Sequence, residues 1–435
     1  MISGTTTTLI QEFTRHKISA AIETIDAVIA KSHPFRESQD ALRAVRRHVD
    51  SLYSRVNNSN YTTEVAKTSC RAVLEQLSEA LPLVGFLERA TEVTGPVEFH
   101  GPFSRMVKQL LGDGAKLILS STWVFAPYTR TYPADVPKGL ENFVYVSFCM
   151  SESDNAFLTP LAAHEVGHNI WNILNLNAEY SPIVGQQIVE TIRHKYANDW
   201  VRIGNGPVAQ VDDLVGQVAW GQAAYWVKKQ IEETFCDFIG LYLFGVSYIY
   251  SFAHFVAPGT AAGEPSYPQA HERFSQLIDA AQEEGWAIDP AFSKALFEVA
   301  VRPKTPDAIP NRELLLKIAD DARLALVSNV KAKAKKIVAD EALLYGHPDI
   351  SSQLSAFDEG VPCVGADALP DILRAGWEVF IKRFFHCKES ERNWGFPISE
   401  TPKVINELLL KSFEIYEIEC RLKDAECSMP QKLLV

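Results

Sequence analysis

The segment Phe238 to Ala257, FIGLYLFGVSYIYSFAHFVA, runs for twenty residues without an Asp, Glu, Lys or Arg. A stretch of that length can cross a bilayer. It can equally be a helix buried on every side in a protein core. The segment holds three Tyr, two Ser, two Gly and His254, and no Lys or Arg stands close at either end. It also follows directly on the polar run Glu232-Glu233-Thr234-Phe235-Cys236-Asp237. These features favour the buried helix, since charged groups beside a membrane span are costly unless paired.

The chain around it has 435 residues, a length that suggests two or three structural units. With 47% apolar and 22% charged residues, neither disorder nor a fibrous repeat fits. The formal charge of -12 argues against a broad nucleic-acid-binding surface and against docking on anionic lipid. Seven scattered cysteines without a C-x-x-C spacing argue against a disulfide framework and against a zinc ribbon. The N-terminal MISGTTTTLIQEF lacks the layout of a signal peptide, so a cytoplasmic protein is expected.

Three regions are expected. Residues 1–94 read as two or three antiparallel helices, with breaks at Ser32–Pro34 and Asn57–Thr62. Residues 95–302 open with a strand-like stretch reaching to about Met150, in which 115–124 and 142–150 are rich in β-branched and aromatic residues. Thr159-Pro160 then predicts a capped helix through Leu174, and a second long helix fits 217–244. Residues 303–435, beyond Pro303–Pro310, read as a C-terminal helical region, with helices expected over 312–344, 368–385 and 404–424. The expected class is mainly α with a small β-sheet (α+β).

The capped helix contains His164-Glu165-Val166-Gly167-His168, an H-E-x-x-H sequence. Residues four apart share a helix face, so both imidazoles can reach one Zn²⁺ at about 2.0–2.1 Å. Glu165, between them, stands beside the open coordination position and can take a proton from water there. A catalytic zinc needs a third protein ligand. Trp171 and Leu174 stand where a metzincin continuation would have Gly and His, which excludes that ligand set. The gluzincin pattern places a Glu on a later helix with an Asp four residues further on the same face. Glu233 and Asp237 resemble that pair, which implies Glu233 as the ligand and Asp237 as the group holding the far nitrogen of a ligating histidine. Glu232 has no carboxylate at the corresponding spacing. Glu190 is the competing ligand.

With these residues the chain resembles the gluzincin-type zinc metallopeptidases, whose thermolysin-like site pairs HExxH with a later E-x-x-x-D. A weaker similarity links Tyr267-Pro268-Gln269-Ala270-His271-Glu272-Arg273 to the H-P-x-x-x-E-R segment of the heat-shock and CaaX-processing membrane metallopeptidases. The resemblance covers roughly residues 140 to 275. It implies a zincin-like catalytic core flanked by helical regions, with His164, His168 and Glu233 on Zn²⁺, Asp237 behind them and Glu165 as general base and acid. Tyr267 stands where that family has His, so either Tyr267 or His271 is the expected donor to the oxyanion. Strand 142–150 would be the edge strand that pairs with an extended peptide or protein substrate. The separation of His168 from Glu233 exceeds that of thermolysin, which implies an inserted helical segment. A different class of function also fits: a helical scaffold that binds a protein partner through its flanks and keeps a structural or vestigial zinc site.

Overall fold

The computed structural model describes residues 2–56, 63–90, 97–122, 128–129, 139–140, 142–201, 214–256, 266–292, 310–386 and 398–428. They form a mainly α-helical protein with one small sheet. The chain divides into two compact units, Met1–His100 with Leu111–Asp154, and Gly101–Leu110 with Asn155–Val435. This division cuts across the three expected regions: the sheet falls with the N-terminal helices, and the C-terminal helices fall with the H-E-x-x-H helix. The expected boundaries at 94/95 and 302/303 lie outside the described residues.

In the first unit α1 (Ile2–Ile29), α2 (Arg36–Val56) and α3 (Thr63–Arg89) bury one apolar stripe each, with Ile18, Ile25, Val45, Val49, Leu77 and Phe86 at the centre. A fourth helix, α4 (Val97–Leu111), most of which (Gly101–Leu110) belongs to the second unit, stands where a strand-like stretch was expected. Phe99, Phe103, Met106 and Val107 are buried on it at helical spacing, a period that Gly101-Pro102 obscures in the sequence. The sheet has the order β1 (Lys116–Thr122), β3 (Phe143–Cys149), β2 (Tyr128–Thr129), with β1 parallel and β2 antiparallel to β3. The expectation of a substrate-pairing edge at 142–150 is therefore corrected. β3 is the central strand, its second side taken at Val146 and Ser147 by Thr129 and Tyr128.

The second unit contains α5 (Leu161–Ile173), α6 (Leu176–Thr191), α7 (Ala197–Trp200), α8 (Leu214–Phe244), α9 (Val246–Val256), α10 (Ala270–Glu283), α11 (Pro310–Asp340), α12 (Ser351–Asp358), α13 (Leu369–Phe380) and α14 (Thr401–Ser428). The inserted segment expected between the two histidine- and glutamate-bearing helices is α6 and α7. The long uncharged run is not one helix. It is the end of α8 and the whole of α9, separated at Gly245, whose φ of +57° favours glycine and where a Cβ would collide with the Tyr345 ring. Every residue from Gln230 to Ala253 is buried. No helix among the described residues is long and apolar enough to cross a membrane.

Asp371, in the first turn of α13, is 4% exposed and its Oδ1 has no hydrogen-bond partner. Burial pushes its carboxyl up to about 6; the Ala368 amide opposes this, Asp367 reinforces it, and Arg374 opposes it weakly. The folded state therefore holds this proton more tightly than the unfolded chain does. The associated stability is complete below about pH 4 and is lost as pH rises through 6. Asp371→Asn stays neutral, so its advantage over wild type should be near zero at pH 4 and reach about 2–3 kcal/mol above pH 7. Urea unfolding across that range measures the difference, and a pH-independent difference would contradict the assignment.

Candidate metal centre

H-E-x-x-H lies at the centre of α5, which is buried along Leu161–Gly167 and Asn169–Trp171. The helix begins differently from the sequence expectation. Pro160 precedes it, and the Thr159 hydroxyl donates back to the Ala156 carbonyl at 2.7 Å, within the turn before the helix, instead of capping α5. α5 meets α8 at Gly167, where a Cβ would stand 2.8 Å from the Cα of Cys236. This close approach brings the α5 histidines against the α8 carboxylates.

The two helices meet as an antiparallel ladder. His164 Nδ1 donates to Asp237 Oδ1 at 3.0 Å, and one turn further His168 Nδ1 donates to Glu232 Oε1 at 2.9 Å. With both Nδ1 atoms engaged, the Nε2 lone pairs are left for a metal. They converge on one carboxylate: His164 Nε2 is 3.2 Å from Glu233 Oε2, and His168 Nε2 is 3.5 Å from Glu233 Oε1. Atoms bound tetrahedrally to zinc lie roughly 3.3–3.4 Å from one another. Glu233 thus stands within reach of both nitrogens, through a different oxygen for each, at separations close to that spacing.

A further layer holds these side chains. Arg273 of α10 grips Asp237 with two bonds, Nε to Oδ2 at 2.6 Å and Nη2 to Oδ1 at 2.7 Å, and its guanidinium lies over the Phe252 ring. The Tyr248 hydroxyl on α9 donates to the same Asp237 at 2.7 Å. On the other side Lys229 donates to Glu232 at 3.0 Å. Asp237 is thus fixed from three helices besides its own.

Burial is the largest influence on every titrating group here and disfavours charge, yet mutual attraction prevails. His164 is raised to about 10 by its bonds to Asp237 and Glu233, and His168 is raised by Glu233 and Glu232. Glu233 is held down to about 2, chiefly by His168 and His164 with help from Arg273, and Asp237 is held low by Arg273. With neutral imidazoles, the carboxylates Glu165, Glu232, Glu233 and Asp237 outnumber Arg273 and Lys229 by two charges. That is the deficit a divalent cation fills.

Cys236 adds a further donor. Its Sγ and one ring nitrogen of each histidine lie within 4.8 Å of one another. Burial, followed by the nearby Glu233 and Glu232, pushes its thiol well above the ordinary cysteine range, and Sγ packs on the Gly167 side of the helix contact. Glu165 is buried beside the histidines. Tyr267 is half-exposed just ahead of α10, and His271 is half-buried in its first turn. Within that segment Arg273 reaches the cluster. His271, two residues earlier, projects about 200° away around the helix. Glu190 sits on α6, where it accepts from Gln186 at 2.9 Å.

Sequence reasoning missed four contributors. Glu232 and Lys229 were within reach of it, since Lys229, Glu232 and Glu233 share successive turns of one helix. Arg273 closes the Tyr267–Arg273 segment, whose pattern alone gives it no partner. Tyr248 carried no local signal, because the turn at Gly245 is what folds it back onto Asp237. Comparison with protein-family models, with curated proteins and with solved structures gives no match for this chain.

Glu233→Ala should abolish stoichiometric zinc binding. Glu232→Gln, which removes only the partner of His168, should weaken it about 10–100-fold. Competition against a chromogenic chelator reads both, and wild-type affinity in Glu232→Gln would show that His168 needs no such support.

Proposed function

We propose that this protein is a zinc-dependent metallopeptidase that hydrolyses peptide bonds in a peptide or protein substrate. The observation that carries the reading is the convergence of His164 Nε2 and His168 Nε2 on Glu233, with each Nδ1 held by its own carboxylate. Bound Zn²⁺ would supply the Lewis acid that polarises the scissile carbonyl and acidifies water. Glu165 takes the proton of the attacking water and delivers it to the leaving amine nitrogen. Asp237 and Glu232 keep both histidines in the tautomer that leaves Nε2 unprotonated. Tyr267 is the favoured donor to the oxyanion, because His271 shares a helix with Arg273 but projects from its other side. The free thiols at Cys70, Cys149, Cys236, Cys363 and Cys420 support a reducing, cytoplasmic setting.

Cys236 favours a second reading, a non-enzymatic helical protein whose zinc is structural. A thiolate reaching the metal would close the fourth position. The cobalt-substituted protein separates the two, since thiolate ligation gives an intense charge-transfer band.

Glu165→Gln should keep zinc at wild-type stoichiometry and lose at least about 10²-fold in cleavage of a denatured protein. Full activity in that variant would sink the mechanism. Tyr267→Phe should lower kcat about 10²–10³-fold with zinc retained, and an unchanged kcat would remove Tyr267 from the chemistry.

A further inference from the structure

Arg323 lies on α11, in the C-terminal region that the sequence sets apart from the core. Its side chain is completely buried. One guanidinium nitrogen, Nη2, donates to Glu272 Oε2 at 2.5 Å, while Nε and Nη1 have no partner. A buried guanidinium held by one carboxylate is a poor stabilising device, because its desolvation outweighs a single ion pair and an apolar side chain would pack there better. Its placement therefore points to a role other than stability. Glu272 is the residue before Arg273, and the two project about 100° apart from α10. Glu272 faces α11, while Arg273 faces Asp237 on α8.

We propose that Arg323 is a positioning residue of the metal centre: by gripping Glu272 it fixes the rotation and register of α10, so that Arg273 meets Asp237 with both nitrogens and Asp237 holds His164. The chain of contacts runs from α11 through α10 and α8 to α5. α11 is well placed to act as its anchor. It lies along α8, with Asp320 beside Gln230 at 3.3 Å and Lys335 over the Tyr242 ring, and it is tied to α6 by Asn329, which accepts from Tyr180 at 2.8 Å. Asp237 accepts a two-pronged Arg only at one orientation of the donor helix, so a small rotation of α10 would break one prong and loosen His164. The inference rests on the zinc reading above, and its test reads metal binding alone.

The experiment compares full-length wild type, Arg323→Met, Arg323→Lys and the pair variant Glu272→Leu with Arg323→Met. Co²⁺ affinity and the d–d spectrum are measured beside urea unfolding of the metal-free proteins. Arg323→Met should bind Co²⁺ about tenfold or more weakly with broadened bands, and the pair variant should show the same loss while its urea midpoint stays equal or rises. Arg323→Lys, which keeps a cation against Glu272, should recover part of the affinity. The pair variant removes both charges, so it remains folded and gives the same loss if a lone Glu272 unfolds the single variant. Wild-type affinity and spectrum in the folded variants would overturn the proposal. So would an affinity loss in the pair variant matched by an equal loss of stability, since that marks an ordinary structural residue. Failure of wild type itself to bind Co²⁺ would instead overturn the metal centre, and the proposal with it.

Discussion

α5 and α8 can lie at their observed separation only because residue 167 has no side chain: any Cβ there would sit 2.8 Å from the Cα of Cys236. That one backbone-to-backbone contact sets the rest of the centre. At that distance a histidine on one helix reaches a carboxylate on the other directly, without water between them. The helices run in opposite directions, so successive turns of α5 meet successive turns of α8 in reverse order, and His164 pairs with Asp237 while His168 pairs with Glu232. Glu233, between the two rungs, faces both free nitrogens. A wider crossing would leave three separate polar groups in place of a converging set.

Such a set is expensive to bury. Four carboxylates and two histidines in a dry helical interface would repel or desolvate one another unless cations were supplied. The chain supplies Arg273 and Lys229, each bonded to a carboxylate that in turn holds a histidine. Two negative charges remain, and the raised affinity of both imidazoles for protons is the response of the site to that remainder. A proton pair and a divalent cation would compete for the same electrostatic deficit. Metal binding to this centre would release protons, in keeping with the general linkage between ligand deprotonation and metal affinity.

Much of this was legible in the sequence, and the parts that were not share a cause. Positions i and i+4 on one helix are fixed by local geometry, so His164, His168, Glu233 and Asp237 could be placed on their faces from spacing alone. Helix extents followed from apolar period, with α8 expected over 217–244 and found over Leu214–Phe244. The period failed at α4, where Gly101-Pro102 interrupts the pattern without interrupting the helix. It failed differently for 142–150, because a strand's composition reports burial but not whether a neighbour occupies each edge. Tyr248 and Arg273 join the centre through a turn at Gly245 and through the docking of α10. Both are tertiary facts with no periodic signature.

The uncharged run that first suggested a membrane has its explanation in the same place. The polar centre lies in the second half of α8, and the chain continues from Phe238 to Ala253, through the turn at Gly245 and into α9, buried at every residue. An Asp held by Arg, Tyr and His keeps these bonds strong only where water cannot compete for them, and the apolar continuation of α8 with α9 folded against it provides that exclusion. The turn at Gly245 serves both purposes, ending a stretch that would otherwise reach bilayer length and returning Tyr248 to Asp237. The absence of charge between 238 and 253 is therefore the counterpart of the concentration of charge between 229 and 237. The dry half of the helix gives the ionic half its strength.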